Sequence, residues 1–149
     1  MRNRYLLYLV ASLFILLVTA SWSDAAWYSG WNYRKSYVIN SATGAGTNYQ
    51  VKITVHYSGT GDSGGDVYCN SHSKTDFSDI RFTGSDGATL LDYWMESKTD
   101  SDNAVFWVEI SADLSTVNQT IYIYYGKADA TTTSDGVNRV QNHHLVDFF

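Results

Sequence analysis

Two glutamates in neighbouring aromatic segments are the residues whose types could do chemistry together. Glycosidases use two carboxyl groups about 5 to 10 Å apart across a cleft. If the segments around Glu96 and Glu109 pair as a β-hairpin, Trp94 lies opposite Trp107 and the glutamates occupy nearby but different rungs. We favour solvent-facing positions near strand ends for both glutamates. Glycoside hydrolysis by Glu96 and Glu109 is kept as the alternative.

Four aspartates in or beside a long polar loop could supply oxygen ligands to a metal ion. They are Asp62, Asp66, Asp76 and Asp79. Calcium takes several oxygen ligands at about 2.3 to 2.6 Å, backbone carbonyls included. The spacing differs from that of an EF-hand, so structural Ca²⁺ is one hypothesis and solvated turn aspartates are the favoured one.

Cys69 and His72 could form half of a zinc site, which His143 and His144 would complete if the tail folded back. We favour the simpler hypothesis that Cys69 is a small buried residue with an inert thiol. With one cysteine, the chain has no internal disulfide, and core packing must hold the fold.

Arg81 lies between two apolar residues, Ile80 and Phe82, so alternation directs its side chain to the opposite face of a strand. That face is expected to be the outer one. There the guanidinium could form two hydrogen bonds with the carboxylate of Asp79 or Asp76 and tie the preceding loop to the strand.

Aromatic residues make up 15% of the chain. An exposed ring can stack on the apolar face of a sugar, and a buried one fills a core. We expect core positions for Trp94 and Trp107, and give the two roles equal weight for Trp27 and Tyr28. The candidate ligand-binding residues are Trp27, Tyr28, Trp31, Trp94 and Trp107.

Period-two alternation predicts strands that hold these residues in place. Residues 49–57 put Val51, Ile53 and Val55 on one face and polar side chains on the other. Clusters of Gly, Ser, Asp and Asn separate short β-rich segments, as in an all-β antiparallel sandwich of jelly-roll type. The other predicted strands are residues 33–40, 79–83, 88–96, 104–111 and 120–125.

Residues 1–25 have the layout of a secretory signal, with a basic start, an apolar run over 5–20 and small residues at the end. Small side chains at Ser23 and Ala25 predict cleavage before Ala26. A retained membrane anchor formed by residues 5–20 is the alternative, because the run is near the lower limit of about 17 residues for a span. Either way, the remainder is expected outside the cell or on its surface.

The rest of the chain is expected to form one domain over residues 26–136, followed by a tail or the start of a further domain over 137–149. Ten Lys and Arg against fifteen Asp and Glu give a formal net charge of −5. This balance argues against binding to nucleic acid or to an anionic membrane surface.

Several motifs in a fixed order resemble one domain family. They are Trp31-Asn-Tyr-Arg-Lys35, Asp76-Phe-Ser-Asp-Ile-Arg-Phe82, Tyr93-Trp-Met-Glu96, Val105-Phe-Trp-Val108 and Ile121-Tyr-Ile-Tyr-Tyr-Gly126. Over residues 27–136 the sequence is similar to the DUF2341 family, modules of unknown function in exported bacterial and archaeal proteins. The resemblance implies a β-rich surface module, often placed before a concanavalin-like or laminin-G-like domain. It implies no catalytic residues.

These observations predict a secreted or surface-attached, non-enzymatic module that serves adhesion, carbohydrate contact or a scaffold role. No nucleophile-elbow, His-Glu-x-x-His or glycine-rich phosphate motif is present in the sequence. The expected partner is a polysaccharide or a neighbouring lectin-like domain. Membrane contact is expected only through the N-terminal segment.

Overall fold

The computed structural model describes residues 27–135. The predicted signal, the alternative anchor over 5–20 and the tail over 137–149, with its two histidines, lie outside the described residues. Between residues 27 and 135 there is no helix at all. This part of the chain therefore offers no helical candidate for a membrane span.

Seven strands in the described part form two sheets. One sheet has three antiparallel strands in the order β1-β7-β4, and the other has four strands in the order β3-β2-β6-β5. The strands are β1 (Tyr33–Ile39), β2 (Tyr49–His56), β3 (Asp66–Tyr68), β4 (Arg81–Thr83), β5 (Tyr93–Thr99), β6 (Asn103–Ile110) and β7 (Gln119–Tyr125).

Alternating residue types decide which side of each strand is buried. In β6, Ala104, Phe106, Val108 and Ile110 are buried, and the residues between them are partly exposed. In β2, Ile53 lies opposite Phe106, and both are fully buried. The inward face predicted from period two is therefore confirmed in the centre of the larger sheet.

The inner faces of the two sheets enclose one apolar core. Phe82 from the smaller sheet meets Tyr93 and Phe106 from the larger one edge to face, with ring centroids 5.3 and 5.4 Å apart. Ile123 and Val55 add aliphatic contacts from the two sides. Burial of these side chains supplies most of the driving force for joining the sheets. The predicted all-β fold is confirmed at this level.

One strand pair departs from the prediction of an antiparallel sandwich. β3 lies parallel to β2, with Val67 opposite Val55. The intervening loop is rich in glycine, and Gly59, Gly61 and Gly64 adopt positive φ angles that let the chain return beside β2. A three-residue strand inside a polar, glycine-rich segment carries too little alternation to be recognised from sequence.

Candidate functional site

Trp94 and Trp107 are direct partners across β5 and β6. Their neighbours Tyr93, Phe106 and Val108 point into the core, so alternation turns both tryptophans to the outer face of the four-stranded sheet. Both are partly exposed, and neither packs against a core cluster of the described residues. The cross-strand pairing was predicted correctly, but the expected core position is wrong.

Polar side chains surround the two rings. Lys52 of β2 is the partner of Trp107 on its other side, so Trp94, Trp107 and Lys52 form a row across three strands. The indole N–H of Trp107 donates a hydrogen bond of 3.2 Å to a carboxylate oxygen of Glu96. We call these four side chains the tryptophan platform.

The two glutamates lie on opposite sides of the tryptophan row. Each follows its tryptophan by two residues, and β5 and β6 run in opposite directions. With the β-bulge at Glu96, three to four residues of strand separate the two positions, which corresponds to about 12 Å between the backbones of Glu96 and Glu109. Each glutamate side chain carries its carboxyl group several ångströms from the backbone, so this backbone separation does not set the distance between the two carboxyl groups, which is about 5 to 10 Å in glycosidases.

The four aspartates predicted as calcium ligands do not converge. Among the described residues, no three His, Cys, Asp or Glu side chains lie close enough together to hold a metal ion. Each aspartate bonds a different part of the molecule: Asp62 bonds Lys35, Asp66 bonds His56, Asp76 bonds Ser78, and Asp79 bonds the backbone amides of Lys74, Gly126 and Lys127.

Cys69 is completely buried in the main core, as predicted. Burial raises the pKa of its thiol to about 12, so the reactive thiolate is suppressed near neutral pH. The ring of His72 instead stacks on Tyr33, at 4.2 Å between ring centroids. The remaining two histidines of the zinc hypothesis lie outside the described residues.

Arg81 and Asp79 are buried, with 5% and 0% of their surfaces exposed. Arg81 donates hydrogen bonds to the backbone carbonyls of Ser78, Ile80 and Thr131. The predicted outward ion pair between Arg81 and Asp79 or Asp76 is therefore wrong. Arg81 does point away from the core, but that face of the sheet is covered.

Residues 27–31 form what we call the N-terminal cover of the three-stranded sheet. Trp31 is 8% exposed, and its indole N–H donates to the backbone carbonyl of Asp79 at 2.8 Å. The guanidinium of Arg34 lies between the rings of Trp27 and Tyr122, 4.6 and 4.5 Å from their centroids. Such cation–π contacts fix the cover to the sheet.

The cover divides the five aromatic ligand candidates into two groups. Trp31 is buried, Tyr28 is partly buried against it, and Trp27 remains 50% exposed at the edge of the cover. Trp94 and Trp107 lie on the outer face of the four-stranded sheet, which the N-terminal cover does not reach. The platform is thus the only place in the described chain where two candidate rings are cross-strand neighbours.

A segment that was not predicted from the sequence borders the platform. The backbone N–H of Asp135 donates to the carbonyl of Tyr93, and the hydroxyl of Ser134 accepts the backbone N–H of Met95. Residues 133–135 thus run along the free edge of β5 and protect it from pairing with other chains. Their Thr-rich composition carries no alternation that could have revealed this contact.

The model of one protein family, described as "Domain of unknown function (DUF2341)", matches residues 76–149. The chain carries a DUF2341 domain. The matched part contains β4 to β7 and both tryptophans of the platform, whereas the N-terminal cover and β1 to β3 precede it. The predicted family is confirmed. No curated protein and no solved structure matches the DUF2341 chain.

Proposed function

We propose that this DUF2341 protein is an exported, non-catalytic module that binds polysaccharide through the tryptophan platform. The observation that carries the proposal is the cross-strand pair of Trp94 and Trp107 on the outer face of the larger sheet. Two rings held in register on neighbouring strands of one face can each stack on a sugar ring of one chain.

The polar members of the platform supply the directional contacts that stacking lacks. Glu96 accepts hydrogen bonds and Lys52 donates them, so both can pair with sugar hydroxyls. The hydrogen bond from Trp107 to Glu96 shows that the carboxylate lies beside the ring, on the same face of the sheet, where a stacked sugar would meet both.

Export and the finer fold class are part of the same proposal. The signal layout of residues 1–25 supports secretion or attachment to the cell surface. A jelly-roll-like arrangement is supported by the chain path, because the chain passes from one sheet to the other after β1, β3, β4 and β6.

Titration of the full chain with soluble neutral polysaccharides tests the platform. We expect tryptophan fluorescence to shift on binding, and Trp94→Ala or Trp107→Ala to weaken binding by about tenfold or more, since each removes a central aromatic contact. Trp27→Ala is the matched control, because it removes a half-exposed tryptophan from the opposite side of the molecule. It should bind like the wild type.

Two results would contradict the proposal. One is the absence of binding across cellulose derivatives, xylan, mannan and β-glucan. The other is unchanged affinity in the double variant Trp94→Ala, Trp107→Ala. Release of reducing sugar that disappears in the variant Glu96→Gln, Glu109→Gln would instead establish hydrolysis.

A further inference from the structure

An open cleft of about 280 Å³ lies at one end of the two sheets. It is bounded by the connection between β4 and β5, by the end of β6 and by the start of β7. The cleft shares no residue with the tryptophan platform. A ligand there would therefore occupy a separate site.

The floor of the cleft is apolar and its rim is polar. Ile110 and Ile121, each 2% exposed, reach it from the two sheets, and Leu91 adds a third aliphatic side chain. Four hydroxyl or amide side chains line the rim and make no hydrogen bond to another described residue: Ser85, Ser111, Gln119 and Thr120.

Two other polar side chains at the same end of the molecule are engaged in the fold. Asn118, beside the cleft, accepts the backbone N–H of Ser41, and Ser115 accepts that of Gly46. Those side chains hold neighbouring loops together. The rim of the cleft instead combines unengaged polar groups with an apolar floor, the usual composition of a small-molecule site.

Charge around the cleft narrows the class of ligand. Among residues 27–135, Asp86 is the one ionisable side chain that lines it, and its carboxylate accepts the backbone N–H groups of Ala88 and Thr89. No cationic side chain of the described chain lines the cleft, so an anionic ligand would meet a carboxylate without a counter-charge.

We propose that this cleft is a second ligand site, which binds one neutral sugar ring, such as the end of a glycan chain. Its volume is close to the lower end of ligand sites, about 300 Å³, and so suits a single ring. The apolar face of the ring would lie on the aliphatic floor, and its hydroxyls would bond the polar rim. This site stands independently of the platform.

Saturation-transfer NMR of the full chain with glucose, galactose, mannose and N-acetylglucosamine tests the cleft. We expect at least one of them to bind, and Ala112→Trp to abolish the transfer by filling the cleft, which Ala112 lines. Gln119→Ala should weaken the affinity for the same sugar by about three- to tenfold, since it removes one hydrogen bond at the rim with little effect on packing.

The platform variant Trp94→Ala, Trp107→Ala separates the two sites. It should keep the monosaccharide signal while losing polysaccharide affinity. The cleft proposal fails if no monosaccharide of the set binds, or if Gln119→Ala and a folded Ala112→Trp both bind like the wild type. It also fails if the platform variant removes the monosaccharide signal, because the signal would then come from the platform.

Discussion

Both sheets carry aromatic residues on their outer faces, but only one of these faces is covered. On the three-stranded sheet, Tyr124 is fully buried beneath the N-terminal cover. On the four-stranded sheet, Trp94 and Trp107 remain partly exposed. The comparison separates two uses of the same residue types: on one side they complete the fold, and on the other they form a surface available for contact.

Hydrogen bonds follow the same division. The hydroxyl of Tyr124 donates to the carbonyl of Gly87 at 2.8 Å and accepts from Arg34 and from the backbone of Tyr28. Buried polar groups need such partners because water is excluded from them. Trp107, by contrast, bonds the exposed carboxylate of Glu96. Water can compete for that bond, so a ligand can exchange with water there at low cost.

Removing a tryptophan from each side should give the largest difference in stability. We expect Trp31→Ala to lower the free energy of unfolding by about 3 to 5 kcal/mol, because it leaves a cavity beneath the cover. Trp107→Ala should cost about 1 kcal/mol, since its ring is partly solvated and lies outside the core. Urea unfolding measures both, and equal losses would contradict the division into covered and open faces.

Changing one acid on each side should give a smaller difference. Asp79→Asn places an amide N–H₂ group against backbone N–H donors, two of which, from Gly126 and Lys127, bond one oxygen of Asp79. We expect a loss of about 2 to 3 kcal/mol in the free energy of unfolding. Glu96→Gln is the matched control on the open face and should stay within about 0.5 kcal/mol. An unchanged free energy of unfolding in Asp79→Asn would show that these hydrogen bonds contribute nothing to the stability of the fold.

Local alternation of apolar and polar residues was enough to predict most of the strands and the cross-strand pair of the platform. In β6, four buried residues at every second position fix the direction of Trp107, and the hairpin fixes Trp94 opposite it. Applied consistently, the same alternation would have placed both tryptophans outside. The expectation of a core position gave ring size more weight than strand periodicity.

The burial of Arg81 could not be predicted from its strand alone. Alternation correctly directs its side chain away from Phe82. Whether that face meets water depends on Trp31, fifty residues earlier in the chain, and on the carbonyl of Thr131, fifty residues later. Such long-range contacts leave no periodic signal near the strand. The cleft could not be predicted for the same reason, because its walls come from three separate segments of the chain.

The smallest expected effect tests a hydrogen bond in the loop before β4. The hydroxyl of Ser78 donates to Asp76 at 2.8 Å and is the main cause that lowers the pKa of Asp76 below its ordinary value of 3.8, followed among the lowering causes by the backbone N–H of Ser78. Because the folded protein favours the ionised form, the resulting stability is present above pH 3.8 and disappears as the pH falls through the lower native pKa.

Asp76→Asn should therefore reduce the free energy of unfolding slightly at neutral pH, and the difference from the wild type should shrink as the pH falls below 3.8 and through the lowered native pKa. Urea unfolding at neutral pH and over a series of acidic pH values measures this change. In a Ser78→Ala background the pH-dependent part should shrink, because the largest cause of the pKa shift is gone. A difference that persists unchanged at low pH would mean that Asp76 acts through packing and not through its charge.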